Sequence, residues 1–566
     1  MFSPRHPRSR GRLFLFAIAF AYLYPFPYFP RINNPNENVR FYMTAAIVED
    51  GTYHIDGPRS RWGWVNDAAV YEGHYCSVKA PSTSLFGVPA YAFYLWITRL
   101  WHRPFEKSEA LWAVRFFASI LPALIFFRPF LRWLLRRGAP LILGEALVLS
   151  LAWGSLLYAY ALLFVTHTLS AAAAFGCFML LFEARRRRFA THLSAFGAGF
   201  LCALVTASEY PGFPASLILL IYALLALRPW NRLVGFTLGG LIPTAFVMHF
   251  HALCYGSPFR PGHRFLENQD FRQAMHSGFY GADAIHWDAA LSLLFHPAYG
   301  LFAVTPILFL AFFGFFRLIR TKGLRLDAWV AFWVCFATYG VIVLMNNWRG
   351  GWTVGPRYLA LTLPFVAWFA LEGWRPLFAI HKSLGATLVG ACTASSILLQ
   401  GLPSVYYPHL PEAFDRPFTQ LILPLIQYDF APLNAGRLLF GWTGSFSMLP
   451  LFVIWVFTIV LSLGGEFTLS TRLWVIFASL ALGAAYTLGL STIPSTQSLD
   501  ALNARRFVED FWTPEGEHFF AKKERAIAEG KASLEEIEAL IQAYEEAGRH
   551  AEASRLREMG QRGGTP

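Results

Sequence analysis

Residues 33–84 read NNPNENVRFYMTAAIVEDGTYHIDGPRSRWGWVNDAAVYEGHYCSVKAPSTS, and how this stretch is placed decides the rest of the fold. It carries Glu37, Arg40, Glu49, Asp50, Asp56, Asp67, Glu72 and Lys79. Each charged group at the centre of a bilayer would cost about 3 kcal/mol, so the stretch does not cross hydrocarbon. Its tryptophans and tyrosines are too frequent for a plain tether, and both residue types favour the lipid–water boundary. The segment therefore belongs at a membrane surface, just beyond the apolar run that precedes it.

The chain of 566 residues is 55% hydrophobic and 14% charged, with 55 phenylalanines and a mean hydropathy of +0.41. That is too little charge to cover a soluble protein of this length, so the sequence predicts an all-α polytopic membrane protein. Its long Leu- and Ala-rich runs do not alternate as the strands of a membrane β-barrel do. The formal charge of +12 sits largely in short gaps between apolar runs. There it reports topology, and no nucleic-acid partner is inferred from it. Six cysteines, Cys76, Cys177, Cys202, Cys254, Cys335 and Cys392, form no CxxC pair. Their spacing supports neither a disulfide framework nor a cysteine metal site.

Arg5, Arg8, Arg10 and Arg12 precede the first apolar run and set the amino terminus in the cytoplasm, the run being read as a retained anchor. Ser82 to Leu100 is read as an interfacial or re-entrant helix. A full span there would push Arg128, Arg132, Arg136, Arg137 and the run Arg185 to Arg188 outside. With the first run at 13–29, spans are predicted near 111–127, 141–158, 166–183, 192–208, 212–227, 233–252, 299–316, 328–345, 357–373, 383–400, 447–464 and 473–490, about thirteen in all. In that register Arg228, Arg317, Lys322, Arg375 and Lys382 fall inside, and the carboxyl terminus lies outside. Two units are expected: a transmembrane domain over 1–490 that includes the external segment 31–110, and an external linker with a small helical hairpin over 491–566. Helical patterns near 515–529, 533–546 and 549–559 mark the hairpin, whose apolar stripe suits either a scaffold or a protein partner.

Outside the first segment, most acids and histidines collect in the connections 253–298, 346–356 and 401–446 and in the tail from 491, so chemistry is expected at the outer face. Glu37 can orient or deprotonate an acceptor hydroxyl there, while a helix cap or an ion pair with Arg40 would explain it structurally. Lys79, ahead of Ala80 and Pro81, sets an ammonium beside the free N–H groups of a helix start; that suits a phosphate, and lipid headgroups compete for it. Residues 346–358 read NNWRGGWTVGPRY. Arg349 and Arg357 can grip a phosphate there, and Trp348, Trp352 and Tyr358 can shape an amphipathic pocket, with a turn held by Arg–carboxylate pairs as the alternative. Arg40, Asp67, Tyr75, His167, Glu209, Tyr210, His263 and Arg264 complete the expected substrate contacts. His167 or Glu209 could join Glu37 around a divalent ion, but no HExxH-type spacing supports zinc.

The acidic external segment, SVKAPS ahead of an aromatic helix, the many spans and GGWTVGPRY together resemble the membrane-embedded glycosyltransferases of the GT-C superfamily over roughly residues 13–490. The chain is especially similar to bacterial relatives of protein O-mannosyltransferases and of the lipid A aminoarabinose transferase. The resemblance implies a GT-C-like bundle with external juxtamembrane helices, set in the bacterial cytoplasmic membrane with its active site on the periplasmic side. It implies a polyprenyl-phosphate sugar donor, a hydroxyl acceptor on lipid, glycan or protein, and inversion. Glu37 would take the place of the first-loop acid, with Lys79 and Arg357 at the leaving phosphate. The sequence departs from the family in three places: Glu37 replaces a more usual aspartate, one proline replaces a pair after the lysine, and His167 stands where relatives carry an acid. A transporter of lipid-linked sugar or polysaccharide, or a membrane assembly scaffold, would share the span count. Only cleavage of the sugar–phosphate bond separates the first of these from a transferase.

Overall fold

A computed structural model of the chain describes residues 7–25, 34–464 apart from 411, 413 and 428, 467–492, and 527–563 apart from 528 and 547–549. Almost every element is a helix, and the hairpin Ala68–Tyr71 with His74–Ser77 is the one sheet among the described residues. Among the described residues, seven helices are long and apolar enough to cross a membrane: Lys107–Arg136, His167–Arg187, Arg232–Tyr255, Arg325–Leu344, Lys382–Tyr406, Gly444–Leu463 and Leu469–Thr492. Leu141–Trp153 and Leu156–Leu162, bent by 48°, add an eighth if the pair is one span.

The thirteen expected spans are thus of several kinds. Those near 192–208 and 212–227 are the shorter helices His192–Ser208 and Tyr210–Ala226. The one near 299–316 breaks at Thr305, ahead of Pro306, where the backbone leaves helical geometry. The one near 357–373 opens as a 3-10 turn, Arg357–Thr362, and continues as Leu363–Ile380 with Glu372 and Arg375 inside it. Hydropathy alone merged these breaks into continuous runs.

Small residues bring the helices together, as they must where lipid removes the hydrophobic drive for association. A Cβ on Gly199 would lie 1.8 Å from the Phe236 carbonyl oxygen, and one on Gly239 would lie 2.0 Å from that of Phe196. His192–Ser208 and Arg232–Tyr255 therefore touch backbone to backbone. At one end of the bundle the arginine-rich turns are tied by ion pairs. Arg137 meets Glu183, Arg185 meets Asp327, and Arg317 stands 3.7 Å from Glu372, while Arg375 donates to the Arg137 carbonyl.

The segment after the first helix has its own core of Val39, Phe41, Tyr42, Val65, Cys76, Tyr91 and Leu111, joined by Phe250 and Tyr255 from the end of Arg232–Tyr255. Its leading helix, Pro35–Glu49, starts where Asn34 accepts from the Asn36 N–H at 2.8 Å, with Pro35 in the first turn. The hairpin turns through Glu72 and Gly73, both at positive φ (51° and 85°), the geometry of a type I′ turn. Ser82–Leu100 packs on Pro35–Glu49 and on the start of Lys107–Arg136, leaving Phe93, Trp96 and Trp101 exposed. At the far end of the chain, Leu534–Glu546 and His550–Gly563 pair through Leu540, Tyr544, Ala553 and Leu556. Of the helix expected near 515–529, only residues 527 and 529 fall among the described ones.

Candidate functional site

A cavity of about 1720 Å³ opens among the ends of these elements. Its polar wall is made of Asn36 and Arg40 from Pro35–Glu49, Asp67 and Lys79 flanking the hairpin, and His167 at the start of its helix. Glu209 and Tyr210, lying between two apolar helices, and Arg357 and Tyr358, after the glycine loop, complete that wall. Its apolar wall includes Val247 and Met248 of Arg232–Tyr255, Val341 and Leu344 of Arg325–Leu344, and Phe213.

Helix phase decides which side chains reach the cavity. Asn36 and Arg40, four residues apart, share a face, and Arg40 Nη1 donates to the Asn36 carbonyl at 3.0 Å. Glu37 is turned about 100° away from Asn36. It is buried, accepts from Arg115 Nε and Nη2 at 3.0 and 3.1 Å, and takes the Phe164 N–H at 2.6 Å. Its carboxylate oxygens are engaged at a helix junction and Glu37 is not on the cavity wall, although the cavity residue His409 stands 3.8 Å from it; the geometry does not bring the expected acceptor-orienting base to the cavity.

Arg40 is fully buried. Its Nη2 donates to Thr166 Oγ1 at 3.2 Å and stands 3.7 Å from Glu209 Oε1, while its Nε has no hydrogen-bond partner among the described residues. Thr166 donates to the same carboxylate, and His167 Nδ1 lies 3.4 Å from it. Burial raises the proton affinity of Glu209, and Arg40, Arg357 and Lys79 oppose that rise, in that order. Three cations therefore converge on one acid.

Arg357 is less committed. Its Nη2 donates to the Tyr358 hydroxyl at 3.3 Å, and no carboxylate pairs with it among the described residues. Gly350, at φ +80°, lies against this guanidinium, and a Cβ there would stand 2.7 Å from Arg357 Nε. Lys79 pairs with Asp67 at 3.1 Å, and both side chains keep some exposure, 19% and 13%, so a ligand in the cavity can reach either.

Trp352, Tyr358, Tyr210, His263 and Arg264 also line the cavity. Tyr210 donates to His251 Nε2 at 2.7 Å, because the other ring nitrogen of His251 is engaged with the Pro258 carbonyl at 3.2 Å. Burial, and next Lys79, push the proton affinity of His263 down. Three expected contacts lie elsewhere and are corrected. Tyr75 sits on the second strand beneath the Arg59 guanidinium, 3.7 Å away. Trp348 packs against the main core beside Tyr299. Arg349 stacks 4.5 Å over the same Tyr299 ring and donates to the Glu412 carbonyl at 3.3 Å. The positive-φ pair Gly350–Gly351 reverses the chain, which turns residues 348 and 349 away from 352.

The cavity also recruits Asn34, Asn36, Asn66, Asn346, Asn347, His251 and His409, none of which the sequence reading selected. Their signal was an unusual density of asparagine around the charged motifs, in NNPNEN and NNW. His251 lies hidden in an apolar helix. His409 Nδ1 lies 3.1 Å from Asn34 Nδ2, and burial, followed by Arg115 and Arg357, pushes its pKa to about 3.

Among the described residues, two groups bring metal-ligand atoms within 4.8 Å of one another: His54 with Cys76 and Cys254, and His54 with Asp56 and His74. Neither includes a residue of the cavity wall. The divalent ion considered for Glu37, His167 and Glu209 has no assembled ligand group at those residues.

No protein-family model matches the chain, and no curated protein matches it. Fold and cavity together define a largely helical protein with membrane-length helices and a cation-rich cavity that has one polar and one apolar wall.

Proposed function

We propose that the chain is a GT-C-type glycosyltransferase that uses a polyprenyl-phosphate sugar and spans the bacterial cytoplasmic membrane several times. One observation carries the reading: Lys79, Arg40 and Arg357 converge in a cavity whose other wall is made by helices long and apolar enough for a bilayer. A ligand that satisfies both walls has an anionic head and a hydrocarbon tail. The exposed Phe93, Trp96 and Trp101 suit a helix lying at the lipid boundary. The ion-paired arginine turns suit the cytoplasmic end, in keeping with an amino terminus inside and a carboxyl terminus outside.

The chemistry assigned to the cavity is inverting transfer. Arg357, having no carboxylate partner among the described residues, takes a phosphate oxygen of the donor. Lys79 leaves Asp67 for another. As the bond between the anomeric carbon and the phosphate oxygen breaks, charge grows on the leaving polyprenyl phosphate, so these cations favour the transition state over the bound donor. Asp67, released from Lys79, receives the proton of the acceptor hydroxyl as that oxygen bonds to the anomeric carbon. Asp67 thus takes the role first expected of Glu37. Glu209 holds Arg40 and His167 in place. The asparagines offer neutral hydrogen-bond partners of the kind a sugar needs.

The test is a purified membrane preparation given several polyprenyl-phosphate sugars and hydroxyl acceptors, with product masses measured. Transfer is expected with at least one donor. Asp67→Asn is expected to slow turnover about 10²-fold or more while donor binding persists. Movement of intact donor across vesicles, with no cleavage in any combination, would sink the proposal and favour a transporter.

A further inference from the structure

We propose that His54, Cys76 and Cys254 form a binding site for a soft or borderline metal ion, Zn²⁺ or Cu⁺, away from the cavity. The inference is independent of the transferase reading. Three separate elements deliver the donors. His54 lies in the turn before Asp56–Trp62, Cys76 is on the second strand, and Cys254 is in the last turn of Arg232–Tyr255. His54 and Cys76 face each other across an antiparallel bridge.

The ring nitrogen and both sulfurs lie within 4.8 Å of one another, and the two cysteines are 1% and 2% exposed. Tetrahedral sites with metal–sulfur bonds of about 2.3 Å hold their ligand atoms roughly 3.5–4 Å apart. Closing the three donors on an ion therefore needs a small contraction at most. Two thiolates and an imidazole select zinc or copper over magnesium or calcium, which prefer oxygen.

The surroundings of His54 favour a metal over a simple thiol pair. Its ring stacks on His74 at 4.4 Å, and its ligand atom is also grouped with those of Asp56 and His74. Asp56 Oδ2 lies 3.0 Å from His74 Nδ1, and Asp56 Oδ1 accepts the Tyr75 N–H at 2.9 Å. Asp56 thus holds the His74 ring against which His54 stacks. A disulfide between Cys76 and Cys254 would use the sulfurs alone and give His54 no part.

The site would staple the hairpin to a membrane-length helix. Cys76 is followed by Ser77, Val78 and the cavity residue Lys79, and one turn before Cys254 stands His251 of the opposite wall. The Tyr255 hydroxyl already donates to the Ser77 carbonyl at 2.5 Å along this seam. A bound ion would fix Lys79 relative to that wall.

The experiment measures metal in the full-length protein purified in detergent without chelator, then titrates the metal-free protein with Zn²⁺ or Co²⁺ alone. Zinc or copper is expected in equimolar amount with the chain. The cobalt form should show thiolate-to-metal charge transfer and tetrahedral visible bands, both lost in Cys76→Ser, Cys254→Ser and His54→Ala. If those variants do not fold, the metal content and cobalt spectrum of the unaltered chain decide alone. Absence of copurifying zinc and copper together with no cobalt charge transfer, or a Cys76–Cys254 disulfide in unreduced peptides from native membranes, would overturn the proposal.

Discussion

Replacing Glu37 by glutamine removes the buried carboxylate to which Arg115 donates through Nε and Nη2, in a pair whose side chains are both only 1% exposed. The expected result is a destabilisation of about 3 kcal/mol, read as a lower denaturation midpoint, and a loss of activity that follows the loss of folded protein. Asp67→Asn should behave the opposite way, with an unchanged midpoint and suppressed transfer. Acidity gives another test at this scale. His409 has a pKa of about 3 in the folded chain against an ordinary 6.5, so between those values the unfolded chain holds a proton that the native one lacks. Stability is then complete above pH 6.5, falls as the pH drops toward 3, and levels off below. His409→Gln should flatten that part of the stability–pH curve. Lys79 and Arg357 were legible in the sequence because each stands beside a proline or glycine that marks a turn. The exchange of Glu37 for Asn36 at the cavity wall was not. One step along a helix rotates a side chain by about 100°, and the contacts with Arg115 and Phe164, made far along the chain, fix the phase.

At the scale of elements, the contact between His192–Ser208 and Arg232–Tyr255 governs the apolar wall, because the second helix carries Val247, Met248 and His251 into the cavity. Gly239→Val would drive a side chain into the Phe196 carbonyl and the Phe200 backbone N. The helices must part, at an expected cost of about 1–3 kcal/mol or more, with lower thermal stability and a weaker apparent affinity for a lipid-linked donor. Gly340→Ala is the control: nothing lies within 4 Å of a Cβ there, and both readouts should hold. The apolar periodicity made most helices legible, along with the surface position of residues 33–84. Breaks at Thr305 and Gly154 were not legible, because a change of direction inside a hydrophobic run alters the backbone and not the hydropathy.

For the molecule as a whole, the defining feature is that residues far apart in sequence, Arg40, Asp67, Lys79, Glu209 and Arg357, share one chamber with a lipid-compatible wall. Motifs named some of these residues singly. Their convergence depends on the packing of several helices, which local patterns do not encode, and so does the gathering of Cys76 and Cys254 around His54. The account rests on the claim that this chamber breaks a sugar–phosphate bond. The most direct measurement is release of free polyprenyl phosphate from a polyprenyl-phosphate sugar by purified protein in lipid, with an acceptor present. The account predicts release matched by sugar on the acceptor, strongly reduced in Lys79→Ala, Arg357→Ala and Asp67→Asn proteins that remain folded. Equal release by those three variants and the unaltered chain would contradict it.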